Sequence, residues 1–257
     1  MDELVLVGIG TGSLDHLTRE GEAEIRKADC ILLPRKGPEK AELAELKRGV
    51  CVSVLGKEAA SRILEFEMPV RDAGPCYLES VDAWHGEICR AWEAALADRD
   101  ERCVALPVWG DPSLYDSTLR IAARLRPAPK VRVVPGITAL QALTAAHGIP
   151  LNEINAPVMI TTGRRLREEG WPEGADTVAV MLDGELSFRH LDPDRLHVWW
   201  GAYLGMTDQV LASGPLAEVA ERIAKTRAAA RDAHGWIMDT YLLKRQDWTS
   251  RRHASAT

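Results

Sequence analysis

The run Leu4-Val5-Leu6-Val7, followed by Gly8-Ile9-Gly10-Thr11-Gly12, opens the chain and decides its class. Four consecutive apolar residues with no polar alternation suit a strand covered on both faces, the environment of a parallel sheet. The glycines that follow mark a tight turn at the strand's carboxyl end, where positive φ or close backbone approach is needed. Working outward, Thr18 caps a helix reaching Lys27, and Ile31-Leu32-Leu33 reads as a second strand ended by Pro34. Next come a helix over residues 39–47, a third strand over Cys51-Val52-Ser53-Val54-Leu55, and a long amphipathic helix over 79–97. Cys103-Val104-Ala105-Leu106 is then a strand that halts at Pro107. Strands alternating with helices predict an α/β fold with a mostly parallel first sheet, and such sheets bind ligands outside the carboxyl ends of their strands.

After a helix over 119–125, Arg126-Pro127-Ala128-Pro129-Lys130 is the proline-dense linker of mid-chain, which predicts two α/β domains, 1–125 and 131–257. The second half carries strands at 131–134, 158–160, 178–181 and 197–200, helices at 139–147 and 215–231, and a closing pair of strands at 236–238 and 241–243. With fewer helices than strands, the second sheet is expected to be mixed.

Composition narrows the function. At 257 residues the chain is long enough to bury a sizeable core without disulfide or metal staples. A net charge of −6 argues against a nucleic-acid partner or an anionic membrane, leaving a small molecule as the expected ligand. The cysteines, five in number and scattered, lack both zinc-ligand spacing and disulfide pairing, so no metal is expected and a reducing compartment is. No apolar run approaches the ~18–20 residues that cross a bilayer and no basic leader precedes one, so the expectation is a cytoplasmic protein.

Three motifs bear on chemistry. The first glycine loop would need its third small residue at Ser13 to match a dinucleotide fingerprint, and Asp29 precedes the second strand instead of ending it. A nicotinamide-dependent oxidoreductase is therefore the poorer reading, and a tight strand-to-helix turn explains the glycines by itself. In Trp109-Gly110-Asp111-Pro112-Ser113-Leu114-Tyr115 the glycine lets a ligand approach the backbone and Asp111 offers a carboxylate, although Gly-Asp-Pro is also simply a good turn. Val134-Pro135-Gly136-Ile137-Thr138-Ala139 is a second strand-to-helix turn, with Thr138 placed as a plain cap.

GIGTGSLDHLT, WGDPSLYDST and VPGITALQALTAAHGIPL, in that order and spacing, resemble the tetrapyrrole (corrin and porphyrin) methylase family. TVAVMLDGE and GAYLGMTDQVLASGPLAEVAERI look like its later segments, so the resemblance runs through most of the chain. It implies two α/β domains and S-adenosylmethionine as co-substrate. Carried over by position, the cofactor pocket falls on Trp109, Gly110, Asp111 and Leu114, then Thr138 and Ala139, with Leu182 on the adenine side and Gly205 and Met206 closing it. This chain departs from the family's usual G-x-G-P-G-D-P at Thr11, Ser13 and Leu14, and has Leu182 where many members have methionine, a swap of similar volume.

HVWWGAYLG with AHGWIMDTYLL looks most like the branch that couples methylation to loss of acetate in the aerobic route to cobalamin. That resemblance implies methylation of precorrin-5 at C1 with acetate release, or failing that another precorrin C-methyltransferase reaction, and a homodimer. A non-catalytic domain sensing S-adenosylmethionine or a tetrapyrrole is a further alternative. Candidates for the deacetylation chemistry are Asp15, His16, Asp111 and Tyr115; Arg35, Lys36, Arg164, Arg165, Arg167 and Arg189 are candidates to meet the precorrin carboxylates. Trp199 and Trp200 offer flat surfaces for a macrocycle, though a strand-borne Trp is more often core, and His85 and His190 read as structural or surface residues.

Overall fold

The computed structural model describes residues 1–35, 41–72, 74, 76–97 and 99–245. The chain divides into two compact units, Met1–Thr138 and Ala139–Thr257. In the first, β1 (Glu3–Gly8), β2 (Cys30–Arg35), β3 (Ile63–Glu67), β4 (Cys103–Val108) and β5 (Lys130–Val134) form a sheet of order β3-β2-β4-β1-β5. Every pairing in it is parallel. Helices α1 (Arg19–Lys27), α2 (Ala41–Leu55), α3 (Ala59–Arg62), α4 (Tyr77–Leu96) and α5 (Thr118–Ala122) connect the strands. Along β1, Val5 and Val7 join a core with Ile25 of α1 and Cys51 and Val54 of α2, whereas Leu4 and Leu6 join a second core with Ile88 and Trp92 of α4 and Ile121 of α5. That two-sided burial is why the opening run carries no polar alternation.

Cys51–Leu55 is helical, not the expected third strand. Val50, Cys51, Val54 and Leu55 are buried while Val52 and Ser53 are exposed, a helical period in which tertiary packing overrides β-branched propensity. Burial pushes the Cys51 thiol up to about 12, against the pull of Lys47 and Arg48. The third strand is Ile63–Glu67 instead, paired with β2. Pro34 and Pro107 lie inside their strands. β2 and β4 pair only at Cys30↔Val104 and Ile31↔Ala105, so past that point each has one open side where a missing N–H is tolerated. Thr18 caps α1 as expected, its Oγ1 accepting from the Gly21 N–H at 3.0 Å.

The 126–130 stretch is followed by β5, which pairs with β1 from Glu3↔Lys130 onward. This pairing draws residues 130–138 into the first unit, so the division falls later than the proline-dense stretch expected to mark it.

In the second unit, β6 (Val158–Thr162), β7 (Thr177–Met181), β8 (Leu196–Ala202), β9 (Val210–Pro215) and β10 (Asp239–Arg245) take the order β6-β7-β10-β8-β9. β6 and β7 are parallel and the other pairs antiparallel, so the sheet is mixed. Its helices are α6 (Ala139–His147), α7 (Gly163–Glu169) and α8 (Leu216–His234). The expected closing hairpin does not form. Gly235 ends α8 at φ 72, Trp236 gives its carbonyl to the Tyr203 hydroxyl at 2.6 Å, and β10 runs alone between β7 and β8.

Candidate functional site

In the first unit β1, β4 and β5 end level, with Gly8 beside Val108 and Val7 beside Val134. Their three following loops meet through bare backbone. The Gly110 N–H donates to the Gly10 carbonyl at 2.7 Å and the Gly10 N–H to the Gly110 carbonyl at 3.3 Å. A Cβ at Gly136 would lie 2.0 Å from the Gly110 oxygen and 2.8 Å from Gly8 Cα, and one at Gly8 would lie 2.6 Å from the Gly136 nitrogen. No side chain fits between these strands, which is the physical content of the glycine pattern.

Asp111 ties two of the loops together. Its Oδ2 accepts from the Gly136 N–H at 2.8 Å, and its Oδ1 accepts from the Ser113 N–H at 2.8 Å and from the Ser113 hydroxyl. Burial works against its charge, but the donors from Ser113 and Gly136 outweigh that and hold the carboxyl below its ordinary value. Gly110 sits at φ 62, with Thr138 Cα 3.7 Å from where a Cβ would be. Leu114 and Tyr115 continue the loop, Tyr115 at φ 49 and half exposed, while Trp109 is partly buried with Lys47 Nζ 5.8 Å from its ring centre. Trp109, Gly110, Asp111, Leu114 and Thr138 thus gather at one strand edge.

The loop after β1 closes on itself. His16 ends a single 3₁₀ turn over Leu14–His16, and its Nδ1 meets Thr11 Oγ1 at 2.7 Å. Gly10, at φ 73, packs against the base of His16: a Cβ there would come 2.4 Å from His16 Cβ and 2.9 Å from its carbonyl oxygen. Asp15 is exposed, and its N–H donates to Ser13 Oγ.

In the second unit the remaining expected residues share an edge as well. β6 and β7 are parallel, and β10 is antiparallel to both β7 and β8, so β6, β7 and β8 end together. Leu182, Gly205 and Met206 follow those ends. Ala139 joins them: as α6 proceeds, Leu143 packs at Gly201 and His147 Nε2 meets the Trp200 carbonyl at 3.0 Å, so the helix runs backward along β8 from that edge. Gly205 takes φ 77, and its N–H donates to Gln209 Oε1 at 2.8 Å.

What shapes this second edge is a polar network that sequence reasoning missed. Asp183 is buried, and its carboxylate accepts from the Glu185 N–H (3.1 Å), the Ser187 N–H (2.6 Å), the Ser187 hydroxyl (2.9 Å) and the Tyr241 hydroxyl (2.6 Å). Its own carbonyl accepts from Arg227 Nη2 at 3.0 Å. Arg227 Nε in turn donates to Asp239 Oδ2 at 2.9 Å, as does Trp200 Nε1. Burial raises the Asp239 carboxyl, with Arg227 and Trp200 pulling the other way, and burial beside Asp183 pushes the Tyr241 phenol up. The anchored turn throws Leu182 outward at φ 53 and 66% exposed. Gly163 is required beside it, since a Cβ there would lie 2.3 Å from Asp183 Cγ. The only advance signal was an Arg at a buried position of an amphipathic helix.

The basic candidates are largely engaged by carboxylates. Arg35 pairs with Glu67, Arg165 with Glu169, Arg167 with Glu185 and Arg189 with Glu221. Lys36 lies outside the described residues. Trp200 is fully buried, so it belongs to the core and offers no face to a macrocycle, whereas Trp199 stacks on His197 at 4.1 Å. His85 is buried and His190 exposed. Among the described residues no three His, Cys, Asp or Glu side chains gather as a metal site, and no helix is long and apolar enough to cross a membrane.

Two parallel-strand edges carrying glycine loops, one on a parallel and one on a mixed sheet, define an α/β protein whose ligand-facing positions are its loops. The sequence profile of the Tetrapyrrole (Corrin/Porphyrin) Methylases matches residues 3–220, and the chain belongs to that family. It is 46% identical over 252 residues to a Sinorhizobium precorrin-6A synthase [deacetylating], covering 95% of this chain and 96% of the relative. A solved structure of a putative cobalamin synthesis related protein (CobF) from Corynebacterium diphtheriae superposes with a TM-score of 0.80 at 36% identity, over 96% of this chain and all of that one. The uroporphyrin-III C-methyltransferase of Thermus thermophilus, complexed with S-adenosylhomocysteine, shares the fold at a TM-score of 0.56 and 18% identity, over 94% of this chain and 92% of that one.

Proposed function

We propose that the chain is a S-adenosylmethionine-dependent methyltransferase of aerobic cobalamin biosynthesis that carries out the precorrin-6A synthase (deacetylating) reaction, methylating precorrin-5 at C1 and releasing acetate. The near full-length likeness to the deacetylating synthase carries this reading of the reaction. The bare backbone at Gly110, left-handed at φ 62, supports the co-substrate, because with no side chain there a ligand can approach the main chain. S-adenosylmethionine supplies an electrophilic methyl on sulfur.

The protein's part is alignment, which alone accounts for many orders of magnitude. Trp109, Gly110, Leu114 and Thr138 in the first unit, and Ala139, Leu182, Gly205 and Met206 in the second, bind the co-substrate in this proposal. Asp111 fixes the Gly110 loop to the Gly136 loop. With three donors on its carboxylate and its charge favoured, it positions and does not take protons. The working protein is a cytoplasmic homodimer in this reading, two-fold dimers being the commonest soluble oligomers.

The test is mass spectrometry of products from precorrin-5 with S-adenosylmethionine, with acetate assayed in parallel. One added methyl, one lost acetyl and one equivalent of acetate are expected; methylation without acetate would make the chain another precorrin C-methyltransferase. Calorimetry with S-adenosylhomocysteine on Gly110→Val checks the pocket, since parent-like affinity would place it elsewhere.

A further inference from the structure

We infer that His16 is the general base for acetate release, held for that task by Thr11. The inference rests on the reaction proposed above and names the residue that performs its second half. Four side chains of the first unit are the sequence's candidates for this chemistry, Asp15, His16, Asp111 and Tyr115, and the structure separates them. Asp111 has its carboxylate occupied by Ser113 and Gly136 and its charge favoured, so it is a poor proton acceptor. Asp15 is exposed, and among the described residues nothing holds its carboxylate in place. Tyr115 carries a phenol, whose O–H is suited to donating a hydrogen bond. His16 combines a half-buried imidazole with a fixed orientation.

That orientation has two causes. Thr11 Oγ1 meets Nδ1 at 2.7 Å, and the absence of a side chain at Gly10 lets the histidine lie directly on the backbone. In the tautomer whose Nδ1–H donates to the threonine, Nε2 carries the lone pair, and among the described residues nothing bonds to it. Gly10 is itself paired to Gly110, so the imidazole stands one backbone step from the loop proposed to hold the co-substrate.

Release of acetate requires water at the ring-bound acyl carbon. As the water oxygen bonds to that carbon, Nε2 of His16 takes one of its protons. The ring–acyl carbon–carbon bond then breaks and the fragment leaves as acetic acid, which gives its remaining proton to bulk water and becomes acetate; the bonding pair stays in the macrocycle, where it cancels the positive charge that the methyl group brings from sulfur. No other oxidant, reductant or co-reactant is involved.

His16→Ala and the size-matched His16→Gln test this in the full-length enzyme. Both are expected to bind S-adenosylhomocysteine within about twofold of the parent, while acetate release falls on the order of 10²–10⁴-fold. Species that keep the acetyl group should accumulate in the mass spectrum, and added imidazole should restore acetate release to His16→Ala in proportion to its concentration. Acetate release near the parent rate overturns the inference. So does a loss that imidazole fails to rescue and that is matched by weakened S-adenosylhomocysteine binding in both variants, because that marks a structural residue; and so does a selective loss in Tyr115→Phe with His16→Ala unaffected. If the parent enzyme itself forms neither product from precorrin-5, the proposed reaction fails and the inference with it.

Discussion

The two units solve one problem, presenting loops at a strand edge, with opposite chemistry. The first brings its loops together by removing side chains: Gly8, Gly110 and Gly136 touch through their backbones, with one carboxylate as a tie. The second fills the corresponding position with buried charge: Asp183 gathers a turn around itself, and Arg227 links its carbonyl to Asp239. Backbone contact tolerates no added atom. Buried charge tolerates no missing partner. The two edges should therefore fail to different substitutions and respond to pH in opposite senses.

The harshest break of the comparison is Gly136→Ala. The new Cβ would lie 2.0 Å from the Gly110 oxygen and 2.8 Å from Gly8 Cα, both main chain, so strands must separate. Overpacking ordinarily costs ~1–3 kcal/mol, and with rigid backbone on two sides we expect about 4 kcal/mol. Urea unfolding of the variant measures it. A loss under about 1 kcal/mol would mean that the loops can part cheaply and that the glycine contact does not hold the edge.

Arg227→Met probes the other edge. Arg227 and Asp239 are 10% and 5% exposed at their side chains, and removing one partner of such a pair leaves a buried uncompensated charge at a cost of about 3–4 kcal/mol. Because burial already raises the Asp239 carboxyl, the stranded acid can protonate, so the cost should be smaller at pH 4 than at pH 7. Adding Asp239→Leu to the same chain should recover most of the loss. A double variant as unstable as the single one would show that Arg227 matters through its bond to the Asp183 carbonyl instead.

pH itself separates the two units. Asp111 is lowered in the fold, so its contribution is present above the ordinary carboxyl value of 3.8 and is lost as pH falls through the lower folded value. Asp239 is raised, so its contribution is present below 3.8 and lost as pH rises through the higher folded value. Stability measured from pH 3 to 7 should accordingly lose part of its acid-side fall in Asp111→Asn and part of its decline toward neutral pH in Asp239→Asn. Slopes, not absolute stabilities, are the quantity to compare. Parallel slopes in the two variants would refute the contrast.

The asymmetry also explains what could be read in advance. Gly8, Gly10, Gly110 and Gly136 announce themselves because only glycine meets the backbone demand, and Thr18 and the helix from Ala139 follow local rules. Cys51–Leu55 was not legible, since a five-residue run with four apolar members reads equally well as strand or buried helix until the partner surface is known. Nor was the Asp183–Arg227–Asp239 network, whose members lie 44 and 12 residues apart and have meaning only once β10 runs between β7 and β8. The 126–130 prolines misled because local stiffness is not a domain edge when the next strand still pairs with β1.

The mildest effect on stability, and the sharpest test of what the second edge is for, comes from Leu182→Ala. Leu182 is 66% exposed and sits at φ 53, a conformation a leucine adopts only where the surroundings enforce it. Asp183 enforces it here, by collecting the 185 and 187 N–H groups into the turn. A solvent-facing leucine contributes little to folding, so truncation should change stability by no more than about 0.5 kcal/mol. If the turn is built to hold an apolar wall against adenine, the same truncation removes up to about three methylene equivalents of contact, each worth about 0.8 kcal/mol when buried, and S-adenosylhomocysteine affinity should fall roughly tenfold to fiftyfold. Asp183→Asn should weaken binding too, but with a measurable loss of stability, because the amide cannot accept all four donors that the carboxylate serves. Unchanged affinity in Leu182→Ala would remove this residue from the pocket and leave the Asp183 turn as a purely structural device.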